Sequence, residues 1–337
     1  MISLAGKNLE ELEKIIVDLG EQKFRAKQLY AWLYKKSAAS FDEMTNLSKD
    51  FRETLKQNTI ISPITIKKKQ VSKDGTIKYL LELEDGHTVE TVLMRFDNRP
   101  NLSACVSTQV GCAVKCLFCA TGQRGFIRNL KAYEIVEQIL TIQRDTKLEV
   151  TNVVYMGQGE PLYNFDEVMK SVNIINTELE IGNRRITLST SGVIPAINKL
   201  AKENRQLTLA FSMHAPNIEL RQKLVPTEKK YPLPDIIKAL RNLTEKTGRR
   251  VTIEYVMIDG MNDTIELAKE MNNVLKGLNC NINLIPYNSA SEHDLQPPSM
   301  HTINKFKFIL EQSGRKVTVR LKRGDDIKAA CGQLSGN

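Results

Sequence analysis

The feature that most constrains the fold is a repeated alternation of strand-like and helix-like segments along the second half of the chain. Apolar runs suited to strands occur at 151–156, 186–190, 207–213, 251–257, 280–285 and 316–321. Helical patterns separate them, at 131–144, 166–177, 194–202, 233–247 and 264–278. Strands joined by helices pair in parallel through right-handed crossovers. The sequence therefore predicts an α/β fold, a partial (β/α)6 barrel, with its chemistry at the carboxyl ends of the strands.

Two shorter regions precede this core. Residues 1–60 carry apolar residues at helical spacing, among them Leu12, Ile16 and Leu29, and predict a small N-terminal helical accessory domain. Residues 61–97 contain three β-rich runs separated by turns at Asp74-Gly75 and Asp85-Gly86, and predict a β-rich linker. Residues 98–337 then form the barrel and a loop that follows it.

Composition is that of a folded, soluble protein. Hydrophobic residues make up 41% of the 337 residues, and the mean hydropathy is −0.30. No apolar run approaches the roughly 18 residues that a membrane span requires. The first twenty residues lack the apolar stretch of a signal peptide and carry four acidic residues, so we expect a cytoplasmic protein with no membrane partner.

The charge balance is basic. Lys and Arg number 48 against 39 Asp and Glu, a net charge of +9. Such an excess favours a polyanionic partner such as a nucleic acid, although a solvated basic surface explains it equally well. The segment at 24–36, FRAKQLYAWLYKK, is also rich in basic residues. These residues fit either a nucleic-acid-binding face or the solvated outer face of a helix.

Three of the six cysteines have a spacing typical of metal binding. Cys112, Cys116 and Cys119 form a C-x3-C-x2-C pattern. A structural zinc site usually takes four ligands in two pairs, whereas an iron-sulfur cluster can take three thiolates and leave one iron open. That open iron can hold the amino and carboxylate groups of a second molecule. We therefore predict a 4Fe-4S cluster, with structural zinc as the alternative.

With Phe118 placed before the last cysteine, this pattern resembles the radical S-adenosylmethionine superfamily. The resemblance implies that S-adenosylmethionine binds at the ends of the later strands. The expected contacts follow four of the predicted strands, although each alone could be a cap or a turn residue; they are Gly159, Glu160, Ser189, Ser212, Met213, His214 and Asn288.

Further motifs resemble one family of this superfamily closely. They are the segment 320–334, which contains Cys331, the segment CVSTQVGC at 105–112, and Val89-Glu90-Thr91. They are similar to the RlmN family of dual-specificity RNA methyltransferases, and the similarity covers nearly the whole chain. It implies methylation of the C2 carbon of an adenosine in 23S rRNA and of the adenosine 3′ of the anticodon in tRNAs.

The resemblance also assigns roles to residues. Cys331 accepts a methyl group from one S-adenosylmethionine, and a second one supplies the radical that activates this methyl for attack on C2. Glu90 takes the C2 proton, and Cys105 releases the product through a transient disulfide with Cys331. A flavodoxin- or ferredoxin-type reductant and a monomeric enzyme are expected.

Simpler interpretations stand beside these roles. Cys331 could be an ordinary buried cysteine, Cys105 a fourth cluster ligand, and Glu90 a solvent-facing residue. Cys280, at the start of a predicted strand, is expected in the core.

Three rival functions are weighed against this one. The related Cfr family methylates adenine C8, but Val110, Pro161 and the basic run at 322–325 favour the RlmN pattern. A radical enzyme acting on a small molecule or a protein would leave Cys105 and Cys331 without a role. A metal-stabilised RNA-binding module would not cleave S-adenosylmethionine.

Overall fold

The computed structural model describes residues 1–96, 99–203, 205–288, 294–320 and 322–336. Residue 97, the end of the predicted linker, and residue 321, the end of the last predicted strand, lie outside these ranges.

The N-terminal region is helical, as predicted. Helix α1 begins after Asn8, whose side chain accepts the backbone N–H of Glu11 while the Glu11 carboxylate accepts that of Asn8. Helix α2 continues into a π-helical turn at Ala31–Lys35. The elements of this region are β1 (Ile2–Ser3), α1 (Leu9–Asp18), α2 (Arg25–Tyr30), α3 (Lys49–Asn58) and β2 (Thr59–Ile60).

The predicted β-rich linker forms three antiparallel strands that belong to the main sheet, β3 (Thr65–Val71), β4 (Ile77–Glu82) and β5 (Thr88–Phe96). They are followed by a fourth antiparallel strand beyond the predicted linker, β6 (Arg99–Cys105). The last of them also pairs in parallel with the first strand predicted for the barrel, with Cys105 opposite Val154. The antiparallel strands therefore continue directly into the barrel sheet.

The barrel consists of strands that alternate with helices. The remaining parallel strands are β9 (Asn152–Tyr155), β10 (Ile186–Thr190), β11 (Thr208–Ser212), β12 (Val251–Met257), β13 (Cys280–Pro286) and β14 (Val317–Val319). The helices are α5 (Ala132–Thr146), α6 (Phe165–Thr177), α7 (Ile194–Glu203), α8 (Ile218–Leu224), α9 (Leu233–Thr247), α10 (Ile265–Val274) and α11 (Met300–Glu311). Within the described residues, the strand order is β14-β13-β12-β11-β10-β9-β6-β5-β4-β3. The α/β class and the six predicted strands are thus confirmed, and β6 adds a parallel strand that the sequence did not indicate.

A small two-stranded sheet flanks the cysteine loop. Strands β7 (Gln109–Gly111) and β8 (Phe126–Asn129) pair antiparallel, and helix α4 (Ala120–Gln123) precedes β8. The three clustered cysteines lie between β7 and α4, so both ends of their loop are anchored.

One continuous apolar core joins the N-terminal region to the barrel. It includes Leu12 and Phe51 from the N-terminal helices and Phe211 from β11. The two regions also approach closely at Gly6, where an added Cβ would lie 2.1 Å from the Cβ of Tyr133 on α5. Cys280 lies in this core, as predicted.

Across the described ranges, no helix has both the length and the apolar character needed to cross a bilayer.

Candidate active site

The cysteine loop is fixed by backbone hydrogen bonds. The Cys112 N–H donates to the carbonyl of Gly125 at 2.7 Å, and the Leu117 N–H donates to that of Leu224 at 3.0 Å. Within the loop, the Cys119 N–H donates to the Cys116 carbonyl at 3.2 Å. The backbone between the three thiols is therefore held in one conformation.

The electrostatic environment of the thiols disfavours an uncompensated thiolate. Burial raises the pKa of Cys112 to about 12. Burial, followed by the charges of Cys119 and Cys112, raises the pKa of Cys116 well above its usual range. Three neighbouring thiolates require positive charge among them, which metal ions supply.

The number of thiols suits an iron-sulfur cluster. A cubane cluster can bind three protein thiolates, one to each of three irons, whereas a structural zinc usually takes four ligands. The donor set, three cysteines on one loop, fits a 4Fe-4S cluster with one open iron.

A first cavity brings most of the predicted site residues together at the carboxyl ends of the barrel strands. Among its lining residues are Cys112, Cys116, Cys119, Gly159, Glu160, Ser189, Ser212, His214, Asn288 and Cys331. Residues that are far apart in sequence therefore meet around one space beside the cysteine loop.

Glu160 is the buried acid of this cavity. Its carboxylate accepts the backbone N–H of Ser191 at 2.7 Å and that of Leu162 at 3.0 Å. Burial raises its pKa. Gly159 beside it has φ +97°, and an added Cβ would lie 2.5 Å from the Cβ of Gln109. A glycine is therefore required at this close approach.

His214 is a buried, neutral histidine. Its Nδ1 accepts the backbone N–H of Val256 at 3.0 Å, and its ring meets Phe118 edge-on with the ring centres 4.8 Å apart. Burial lowers its pKa to about 3. His214 thus presents an uncharged imidazole beside the cysteine loop.

Met213 is the predicted cofactor contact that the structure does not bring to the cavity. Its side chain is fully buried in the apolar core. Its backbone N–H donates to the carbonyl of Glu254 at 3.0 Å. Met213 therefore supports strand β11 rather than lining the space next to Glu160, because its side chain points into the core.

One polar atom on the cavity wall, Asn288 Oδ1, is buried without a hydrogen-bond partner among the described residues. Such an atom is unfavourable unless a ligand or water satisfies it. Together with the buried acid Glu160, it fits a ligand rich in hydroxyl and amine groups, such as S-adenosylmethionine.

A second cavity adjoins the first, and its wall includes Cys105, the predicted partner of Cys331 in a transient disulfide. Cys105, Cys331 and Arg320 line it, and Cys331, Arg320 and Asn288 line both cavities. Asn288 donates from Nδ2 to the Cys331 carbonyl at 3.2 Å. Cys331 therefore lies where the two cavities meet, whereas Cys105 faces the second one, away from the cluster loop.

Arg320 lies close to both sulfurs. The pKa of Arg320 is raised, mainly by the charge of Cys331. The charge of Glu254 acts in the same direction, whereas burial acts to lower this pKa. Burial and the charge of Cys331 raise the pKa of Cys105 to about 12, while Arg320 acts in the opposite direction. All six cysteines are free thiols in this structure, so a disulfide between Cys105 and Cys331 stays a prediction.

Glu90 lies beside this site but is sealed from it. Its side chain is 1% exposed and forms an ion pair with Lys78. Among the described residues, Glu90 is not part of either cavity wall. It is therefore neither solvent-facing nor, in this conformation, in contact with the second cavity.

Sequence reasoning missed Arg221, which organises the strand ends. Its guanidinium is fully buried and donates to the carbonyls of Ser191 at 2.6 Å and Met213 at 3.0 Å. It also forms an ion pair with Glu228. The available signal was its place three residues before Leu224, on the apolar face of α8.

A cysteine loop beside a polar cavity at the carboxyl ends of a partial β/α barrel defines the class of radical S-adenosylmethionine enzymes. The family model of the Radical SAM superfamily matches residues 106–271. A second model, the Ribosomal RNA large subunit methyltransferase N-terminal domain, matches residues 2–61.

Similar proteins identify the family within this class to which the chain belongs. The chain is 49% identical over 336 residues to a probable dual-specificity RNA methyltransferase RlmN of Alkaliphilus oremlandii (strain OhILAs), covering 99% of this chain and 97% of the relative. It is 47% identical over 337 residues to one of Staphylococcus aureus (strain JH9), covering 98% and 92%. A radical SAM methyltransferase crystal structure from Sphaerobacter thermophilus has a TM-score of 0.93 and 43% identity, with full coverage of both chains. This chain belongs to the RlmN family of radical S-adenosylmethionine methyltransferases, and its cofactors are a 4Fe-4S cluster and S-adenosylmethionine.

Proposed function

We propose that this enzyme methylates the C2 carbon of an adenine base in RNA and that Cys331 carries the methyl group. The observation that supports this most directly is the position of Cys331 where the two cavities meet. A group on its sulfur faces the cofactor cavity on one side and the second cavity on the other. The adenine would enter the second cavity.

The residues of the first cavity would hold the cofactors. Cys112, Cys116 and Cys119 ligate the cluster, and Glu160 accepts hydrogen bonds from the amino group of S-adenosylmethionine. Ser189, Ser212, His214 and Asn288 offer hydroxyl, imidazole and amide groups to its ribose and adenine. When bound, the cluster and two molecules of S-adenosylmethionine per turnover supply a methyl group and the carbon radical that activates it.

Cys105 would release the product. Its thiolate attacks the Cys331 sulfur, a sulfur-sulfur bond forms, and the bond from sulfur to the transferred carbon breaks. The electron pair of the broken bond moves to that carbon, which takes up a proton to complete the methyl group. The charge of the Arg320 guanidinium partly offsets the burial that raises the pKa of Cys105. A reductant then restores the two thiols.

Glu90 would accept the C2 proton. It lies two residues before Val92 on β5, and Val92 lines the second cavity opposite Cys105. The base and the resolving cysteine are therefore near neighbours on one face of the sheet. Glu90 reaches the substrate once the segment that covers it has moved.

The expected substrates are 23S rRNA and tRNA. The net charge of +9 favours such polyanions, and Lys322 and Arg323 lie on the wall of the second cavity, where phosphates would pass. The target base must be unstacked to reach Cys331. A cytoplasmic monomer that receives electrons from a flavodoxin- or ferredoxin-type protein would suit these substrates.

The decisive test uses Cys105→Ala expressed in cells. Without the resolving thiol, RNA should remain covalently attached to Cys331, and nuclease should trim the attached RNA. Purified protein is analysed by intact mass and denaturing gel. Protein free of RNA together with normal levels of methylated product would contradict the resolving role.

Two further variants complete this test. Cys331→Ala should still cleave S-adenosylmethionine but form no methyladenosine, whereas Cys280→Ala, a cysteine in the core, should retain both activities. Mass spectrometry of RNA nucleosides should show 2-methyladenosine. Detection of 8-methyladenosine instead would contradict the proposed product.

A further inference from the structure

A buried ion pair lies next to the second cavity. Nζ of Lys78 is 2.9 Å from Oε1 of Glu90, and the two side chains are 9% and 1% exposed. A buried charge without a partner is strongly unfavourable, so each side chain keeps the other in a fixed position.

The strand register explains why this pair is close to the chemistry. Lys78 on β4 is opposite Val92 on β5, and Val92 is opposite Cys105 on β6. Residues two apart on a strand share a face of the sheet, so Glu90 lies on the same face as Val92. Because Val92 and Cys105 line the second cavity, Glu90 is one step along the strand from that cavity.

The two oxygens of Glu90 have different partners. Oε1 contacts Lys78, whereas Oε2 accepts the backbone N–H of Ser335 at 2.6 Å and that of Gly336 at 2.8 Å. Leu334, the preceding residue, lines the second cavity. One short segment therefore lines the cavity and covers Oε2.

Lys78 also contacts the segment that carries the methyl-accepting cysteine. Its Nζ donates to the carbonyl of Lys328 at 3.1 Å, three residues before Cys331. The Lys78 ammonium group therefore contacts both Glu90, the proposed base, and the start of the loop that carries Cys331.

We propose that Lys78 is a positioning residue: it holds Oε1 of Glu90 so that Oε2 becomes the proton acceptor when the Ser335 and Gly336 amides move away. This inference rests on the proposed function, in which Glu90 is the base. A lone pair of Oε2 forms the new O–H bond, and the electron pair of the broken C–H bond stays on the adenine ring.

The test separates proton removal from methyl loading. Lys78→Met is nearly the same length and uncharged, so Cys331 should still acquire its methyl group while the covalent RNA adduct resolves about tenfold more slowly. Glu90→Gln should slow resolution more, by about 100-fold, as expected for loss of a general base. Single-turnover reactions under anaerobic conditions measure the adduct by gel and the loading of Cys331 by intact mass.

Two control variants and one replacement variant accompany this test. Lys78→Arg keeps a cation and should resolve the adduct at close to the wild-type rate. Lys67→Met removes an exposed ion pair with Glu82 on the neighbouring strand and should have no effect. If Lys78→Met does not fold, Lys78→Gln, which is also uncharged, replaces it and should accumulate the same adduct.

A measurement on the protein without cofactors supplies an independent readout. Hydrogen exchange at the amides of Ser335 and Gly336 should be faster in Lys78→Met and in Glu90→Gln, because the carboxylate that accepts these amides is displaced or neutral. Unchanged exchange in Lys78→Met would overturn the positioning role.

The outcomes distinguish this inference from the proposed function. If Glu90→Gln accumulates the adduct and Lys78→Met does not, Lys78 has no positioning role and the function of Glu90 stands. If Lys78→Met also fails to load Cys331, its role is structural only, and the inference is wrong. If Glu90→Gln resolves the adduct normally, the proposed base is wrong.

Discussion

His214 shows how burial sets the chemistry of a single side chain. The imidazole accepts a backbone N–H with Nδ1 and packs against Phe118, so protonation would place an uncompensated charge in an apolar setting. A histidine here therefore offers a neutral hydrogen-bonding ring at physiological pH. That form suits the contact with a nucleoside proposed above.

The lowered pKa of His214 predicts acid sensitivity of the protein. The unfolded chain binds a proton near pH 6.5, whereas burial lowers the folded pKa to about 3, so stability falls as the pH drops between these values. By pH 5 the loss from this residue should be about 2 kcal/mol, since each pH unit is worth about 1.4 kcal/mol. Urea unfolding of the metal-free protein at pH 7 and pH 5 measures this loss.

His214→Asn is the control for this prediction. The asparagine oxygen can accept the Val256 N–H and does not titrate, so the variant should lose less stability than the wild type over the same pH interval. Equal losses in the two proteins would show that other groups cause the acid sensitivity.

At the scale of elements, Arg221 joins parts that are remote in sequence. It extends from α8 to Ser191, which follows β10, and to Ser212 at the end of β11, and donates to both carbonyls. Ser191 and Ser212 both line the first cavity. The guanidinium therefore sets the spacing of adjacent strand ends at the cofactor site.

Replacement of Arg221 should be costly. Arg221→Met leaves the fully buried Glu228 carboxylate without its partner, and we expect a loss of about 3–5 kcal/mol in the free energy of unfolding. Lys223→Met, on the same helix, removes an exposed pair with Glu219 and should cost no more than about 1 kcal/mol. Chemical denaturation measures both variants, and similar losses would refute the structural role of Arg221.

The contrast between predicted and observed elements has a physical basis. The barrel strands were predictable because each is a short segment rich in apolar and β-branched residues between two helical patterns, and the cluster loop because its three cysteines lie within eight residues. Strand β6 was missed because Pro100, Asn101 and Ser103 interrupt any apolar pattern, and only its pairing with β5 and β9 makes it a strand.

Two side chains whose surroundings the sequence did not predict have a similar explanation. Lys78 lies in the predicted β-rich linker, and only the fold places it against Glu90. Met213 follows a strand end as Ser212 does, but its side chain points into the core. Residue type and spacing identify the chemistry available, whereas the direction of each side chain depends on contacts between distant segments.

At the scale of the whole molecule, the N-terminal region and the barrel share one core. Leu12 and Phe51 belong to the same buried cluster as the barrel strands, and Gln143 on α5 donates to Ser37 at 2.9 Å. A domain linked only by a flexible connection would have its own separate core. Here the N-terminal region and the sheet should behave as one cooperative unit.

The single tryptophan allows this cooperativity to be measured. Trp32 lies in the N-terminal region and donates to Asn46 at 2.5 Å, so its fluorescence reports that region, whereas far-ultraviolet circular dichroism is dominated by the larger barrel. Unfolding of the metal-free protein should give coincident transitions with the two probes. Gly6→Val should lower both midpoints together, because its side chain would collide with Tyr133 at the contact between the two regions. A Trp32 transition that precedes the other would instead show that the N-terminal region unfolds independently and that the shared core does not couple the two.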